Sequence, residues 1–171
     1  PYGTELSGRT GENLATLLIK AKLMSLLNFI SDDRHVLVVD DCSIYRSAIK
    51  GMLLKQGFKP DNITLAPNAQ SAIAIARTKK IKLMMCDYNL GEKANGQQLL
   101  SDLNIQRLIP ADCVIIIITG DASKDVVTSF SELEPDGYLI KPLNYSTLSE
   151  RLPSWIKSKT ALSHLYRDYQ N

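Results

Sequence analysis

The chain has 171 residues, 44% of them hydrophobic, room for one ordinary core of about 100 to 150 residues plus appendages. Its 20 Lys and Arg against 18 Asp and Glu leave a formal charge of +2, too balanced to support nucleic-acid or membrane-surface binding. No apolar run reaches the roughly 20 residues of a membrane helix, so membrane insertion is not expected.

In chain order, residues 1–33 read as an N-terminal extension. A polar Gly/Thr-rich stretch is followed by Leu14, Leu17, Leu18, Ala21, Leu26, Leu27 and Ile30, the spacing of an amphipathic helix. Lys20 and Lys22 interrupt it and no small-residue cleavage pattern follows, so it is not a signal peptide, and the cytoplasm is the expected location. Such a helix can pack on the core or dimerise; Met24 also offers an alternative start, with a vector origin for what precedes it.

Residues 34–156 carry a different pattern. Short β-branched apolar runs at 36–40, 63–66, 82–87, 114–119 and 137–140 alternate with helical-period segments near 43–56, 68–78, 97–108, 123–133 and 145–152. Strands that are apolar on both faces and separated by helices predict a parallel sheet covered on both sides, an α/β doubly wound fold. The flavodoxin-like strand order 2-1-3-4-5 is the expected topology. Pro153 predicts an interruption of the last helix, leaving 157–171 as a helical tail or the start of an output region, with Trp155, Leu162, Leu165, Tyr166 and Tyr169 at helical spacing.

In such a sheet, ligands bind beyond the carboxyl ends of the strands. Asp40 and Asp41 stand at the end of the first run, Asp87 at the third, Thr119 at the fourth and Lys141 at the fifth. Three carboxylates at one edge repel one another unless a hard cation neutralises them, and magnesium prefers oxygen donors. Lys141 offers an ammonium and Thr119 a hydroxyl to a developing phosphoryl charge. Singly, these are weak signals: Asp-Asp before a helix suits the helix dipole, Thr119-Gly120 is a common strand end, and Lys141-Pro142 a common loop. Asp87 after Leu83-Met84-Met85-Cys86 is sharper, because a carboxylate closing a buried strand needs a partner. The three cysteines, Cys42, Cys86 and Cys113, lack any zinc spacing and read as structural thiols in a reducing compartment.

With these residues in place, 34–152 resembles the receiver domain of two-component response regulators. Val-Leu-Val-Val-Asp-Asp-Cys-Ser at 36–43, Met-Met-Cys-Asp-Tyr-Asn-Leu at 84–90, Ile-Ile-Ile-Thr-Gly at 116–120, and Tyr138 three residues before Lys141-Pro142 carry the likeness. The resemblance implies Asp87 as phospho-acceptor, and Asp40, Asp41, Asp87 and the backbone carbonyl of Asn89 as ligands of Mg2+. It further implies Thr119 and Tyr138 as switch residues and Lys141 as the phosphate-contacting cation. A sensor histidine kinase or phosphotransfer protein, or a small phosphodonor, would supply the phosphoryl group. A downstream protein or output domain would read the surface made by 123–133, 137–140 and 145–152, with Val126, Val127, Phe130 and Leu148, and a homodimer is a further expectation. No independent enzymatic substrate is implied. Two departures are visible: Asn95-Gly96 arrives one residue later than the family's usual turn, and Gly120 stands where alanine is common.

Three rivals compete with this reading. A haloacid-dehalogenase-type phosphatase would need Asp-x-Asp, and Asn89 occupies the second position. A flavin or nucleotide module would need a glycine-rich loop after the first strand, where Asp40 and Asp41 stand instead. The third is a non-phosphorylated receiver-like module for interaction or dimerisation.

Overall fold

A computed structural model describes residues 13–31, 35–91, 95–120 and 134–170. Its elements are α1 (Leu14–Ser31), β1 (His35–Val39), α2 (Ser43–Lys55), a 3-10 turn (Pro60–Asn62), β2 (Ile63–Ala66), α3 (Ala69–Thr78), β3 (Ile81–Asp87), α4 (Gly96–Ile105), β4 (Val114–Thr119), β5 (Gly137–Ile140) and α5 (Tyr145–Gln170). All strand pairs are parallel and the order is β2-β1-β3-β4-β5, as the alternation of strands and helices predicted. The expected helix at 123–133, with Val126, Val127 and Phe130, lies outside the described residues.

Period-two alternation sorts the strand residues between two cores. Val36, Val38, Leu83, Met85, Ile116 and Ile118 meet Ile49 and Leu53 of α2 and Leu148, Leu152 and Ile156 of α5. Leu37, Val39, Met84, Cys86 and Ile117 meet Ala72 and Ala76 of α3 and Leu99, Leu100 and Leu103 of α4. The central strand β3 is buried along all seven residues, which is why its middle, Leu83–Cys86, is a continuous apolar run instead of an alternation. Asparagines start two of the helices: the Asn68 side chain accepts from Ser71 N and that of Asn95 from Gln98 N, each at 2.8 Å.

The two extensions are helical, as their spacing predicted, but each departs from expectation in one respect. Pro153 does not interrupt the last helix, which runs on to Gln170. Leu148, Leu152 and Ile156, four residues apart, are all buried against the sheet, and burying each contributes about 1.5–3 kcal/mol, more in sum than the ~3 kcal/mol a helix-interior proline costs. Beyond Pro153, Trp155 lies on β5 so closely that a Cβ on Gly137 would enter its ring. Lys159 pairs with Asp136 at 3.2 Å, and Asp136 accepts from Ile115 N at 2.8 Å.

Helix α1 packs on α5 and seals only its own last two turns. Leu26 and Phe29 join the core, Phe29 meeting Phe58 edge-on at 6.4 Å. The buried ammonium of Lys82 donates to the Phe29 carbonyl and sits 3.9 Å from that ring's centroid, a cation at the negative end of the helix dipole. Most of the predicted apolar stripe, including Leu14, Leu17, Leu18 and Leu27, is exposed. Among the described residues, no helix is long and apolar enough to cross a membrane.

Candidate functional site

The sheet register assembles the carboxyl rim. Val39 of β1 pairs with Cys86 of β3, so Asp40 and Asp87, one residue further on each strand, become neighbours. Thr119 pairs with Ile140, and Lys141 N donates to the Thr119 carbonyl at 2.7 Å, which brings the lysine to the same rim. Each of Asp40, Asp41 and Asp87 offers a carboxylate oxygen, and these three oxygens lie within 4.8 Å of one another. Asp40 and Asp87 are buried and Asp41 is exposed.

Lys141 closes the group. Its Nζ donates to Asp87 Oδ2 at 2.7 Å and to Asp40 Oδ2 at 3.0 Å. Burial alone would lower the lysine's pKa, but the hydrogen bonds and charges of Asp87 and Asp40 outweigh it and hold Lys141 above its ordinary value. Asp87 nevertheless stays above the ordinary aspartate value of 3.8: burial is the largest cause, opposed by the Lys141 hydrogen bond and reinforced by the Asp40 charge. Set against three carboxylates, the Lys141 ammonium alone leaves the group negative. An all-oxygen donor set with uncompensated negative charge fits a hard divalent cation such as magnesium.

Local chemistry fixes the loops. Asp40 Oδ1 accepts from Cys42 N at 2.8 Å, turning the chain into α2. Arg46 Nη1 then donates to the carbonyls of Asp40 at 2.6 Å and Asp41 at 3.0 Å, clamping the acidic pair from behind. After β3, Tyr88 N donates to the Ile118 carbonyl and Gly96 N to the Tyr88 carbonyl, both at 2.7 Å. A Cβ on Gly96 would lie 2.5 Å from the Asp87 carbonyl oxygen, so the turn's glycine is required by close approach to the acidic residue's own backbone. Asn89 is exposed, bridges Asn95, and donates its N–H to Asp87 Oδ1 at 3.4 Å.

The remaining predicted residues sit around this centre. Thr119 is buried at the end of β4, and Tyr138 is half-buried against the second core, its phenol raised by burial. Cys86, fully buried beside Asp87, has its thiol pushed far up, first by burial and then by Asp87 and Asp40, which leaves it inert as a nucleophile. Cys42, Cys86 and Cys113 are free thiols. Two residues of the site escape sequence reasoning: Arg46, and Tyr45, whose ring centroid lies 4.0 Å from Lys141 Nζ. Their position in the first turn after an acidic pair is a signal only once the strand-end lysine is known to fold back over that turn.

Comparison with known proteins agrees with this fold. The response regulator receiver domain family matches residues 36–153. The chemotaxis protein CheY-3 of Vibrio cholerae is 24% identical over 123 residues, covering 72% of this chain and 92% of that protein. The transcriptional regulatory protein ZraR of Salmonella typhimurium is 32% identical over 117 residues, 68% of this chain but 25% of the regulator. In fold, the chain is similar to a CheY-like receiver domain protein from Methanospirillum hungatei JF-1, with a TM-score of 0.64 and 23% identity over 75% of this chain and 97% of that one. It is also similar to chemotaxis protein CheY4 of Vibrio cholerae, with a TM-score of 0.62 and 23% identity over 70% of this chain and 95% of that one. The chain belongs to the response regulator receiver domain family.

Proposed function

We propose that Asp87 accepts a phosphoryl group from the phosphohistidine of a sensor kinase or phosphotransfer protein, or from a small phosphodonor. The observation that carries this reading is a buried aspartate at the end of β3 bonded to Lys141 and grouped with two further carboxylates. In the transfer, a carboxylate oxygen of Asp87 bonds to phosphorus while the donor's bond to phosphorus breaks: the phosphorus–nitrogen bond of a phosphohistidine, with imidazole leaving with the electron pair, or the phosphorus–oxygen bond of acetyl phosphate, with acetate leaving. A magnesium ion held by Asp40, Asp41, Asp87 and the Asn89 carbonyl would neutralise the oxygens of the incoming group. Lys141, already at the acceptor, provides an ammonium to the phosphoryl oxygens, and Thr119 at the neighbouring strand end provides a hydroxyl.

Loss of the Lys141–Asp87 pairing on phosphorylation gives the rim a reason to rearrange. Lys141 and Thr119 move toward the phosphoryl group, and Tyr138, half-exposed on β5, moves inward, changing the surface that a downstream protein reads. The reaction is stoichiometric self-modification in a cytoplasmic signalling protein, with no separate substrate. Intact mass after incubation with acetyl phosphate tests it, with and without magnesium, on wild type and Asp87→Ala. A magnesium-dependent adduct in wild type alone is expected; an adduct of equal stoichiometry on Asp87→Ala removes the acceptor assignment.

A further inference from the structure

Lysine carries its charge on a flexible four-carbon stem and hydrates strongly, so holding an ammonium over a reacting carboxylate needs more than the carboxylate itself. Lys141 uses N–H donors on Asp87 and Asp40, and a third side of the ammonium is covered by Tyr45. The contact is made by the ring face, the geometry in which an aromatic quadrupole attracts a cation. Tyr45 is half-buried, yet it belongs to neither core and packs at the edge of neither. Core filling among the described residues therefore does not account for it, and the contact it makes there is with the ammonium. Its place in the helix is tied to the acidic pair. Tyr45 stands one turn after Asp41 in α2, and its neighbour Arg46 ties that turn to the carbonyls of both acids.

We infer that Tyr45 is a positioning residue for Lys141, its ring holding the ammonium against the Asp40–Asp87 pair in place of water. The inference rests on the reading of Asp87 as acceptor. A ring face is a broad, weakly directional partner, so it keeps Lys141 desolvated and close while allowing the short displacement that a phosphoryl group on Asp87 demands. The hydroxyl has no part in this, so phenylalanine should serve and leucine should not.

The test uses the full chain and two readouts, with circular dichroism to confirm that each variant is folded. The ε-methylene protons of Lys141, assigned by their disappearance in Lys141→Arg, should resonate upfield in wild type and Tyr45→Phe through the ring current, and lose that shift in Tyr45→Leu. The rate of adduct formation from acetyl phosphate and magnesium should fall by about 2- to 30-fold in Tyr45→Leu and be restored in Tyr45→Phe. Absence of the upfield shift in wild type overturns the inference, as does a Tyr45→Leu protein that transfers at the wild-type rate. Should wild type take no phosphoryl group at all, the acceptor reading falls instead, and the Lys141 resonance alone decides whether the ring contact exists.

Discussion

The carboxyl rim and the α1–α5 seam are both built on the same sheet, and they use buried space in opposite ways. At the rim, Asp40 and Asp87 are buried beside one another with Lys141 between them, and Asp87 is still held above its ordinary pKa. Along the seam, the apolar side chains of Leu148, Leu152 and Ile156 are buried strongly enough to carry the helix through Pro153. The rim carries an electrostatic cost that a bound divalent cation would relieve. The seam contributes stability that pays for it. Within the seam a second contrast appears: Leu26 and Phe29 seal the end of α1, whereas Leu14, Leu17 and Leu18 stand exposed on the same helix.

Four substitutions sharpen the contrast. Leu152→Ala removes a side chain with no exposed surface and should cost about 2–5 kcal/mol in urea unfolding; a loss below about 1 kcal/mol would show that the seam is not a main source of stability. Gly137→Ala forces a methyl group into the Trp155 ring and should cost about 1–3 kcal/mol, with a change in tryptophan fluorescence marking displacement of Trp155.

At the rim the sign reverses. Asp87→Asn should stabilise the magnesium-free protein at neutral pH by on the order of 1 kcal/mol, read as a rise of about 2–4 °C in Tm, because the folded state disfavours the anion. The pH dependence follows from the raised folded pKa. Below the ordinary value of 3.8 the aspartic acid is protonated in both states and its contribution is fully present, and it is lost as pH rises through the higher folded value. The stability of wild type relative to Asp87→Asn should therefore decline with rising pH across that interval; a flat difference curve would show that Lys141 fully compensates Asp87. Magnesium should restore wild type and leave Asp87→Asn nearly unaffected. Leu17→Ala, on the exposed part of α1, should stay within about 0.5 kcal/mol of wild type.

Much of the site was legible in the sequence because parallel strands end together. Once five apolar runs are placed in one sheet, Asp40, Asp41, Asp87, Thr119 and Lys141 fall on one rim by register alone. What the pattern did not show were contacts set by three-dimensional neighbours. Tyr45 looks like any aromatic in a first helical turn until Lys141 lies over it. Gly96 reads as a turn residue, although its requirement is the nearby Asp87 carbonyl. The stripe assigned to α1 missed Phe29, because helical periodicity gives a face but not which stretch of it meets the core.

The sequence by itself determined the alternation of strands and helices, the two-sided burial of β3 and the chemistry carried to the strand ends, since these depend on local periodicity and the fixed direction of parallel strands. Tertiary structure decided how far α5 extends and which part of α1 is sealed, where burial against the sheet outweighs proline's local cost. It also decided the electrostatic state of the rim, because the balance among Asp40, Asp87 and Lys141 depends on desolvation and distances of a few ångströms between residues far apart in the chain.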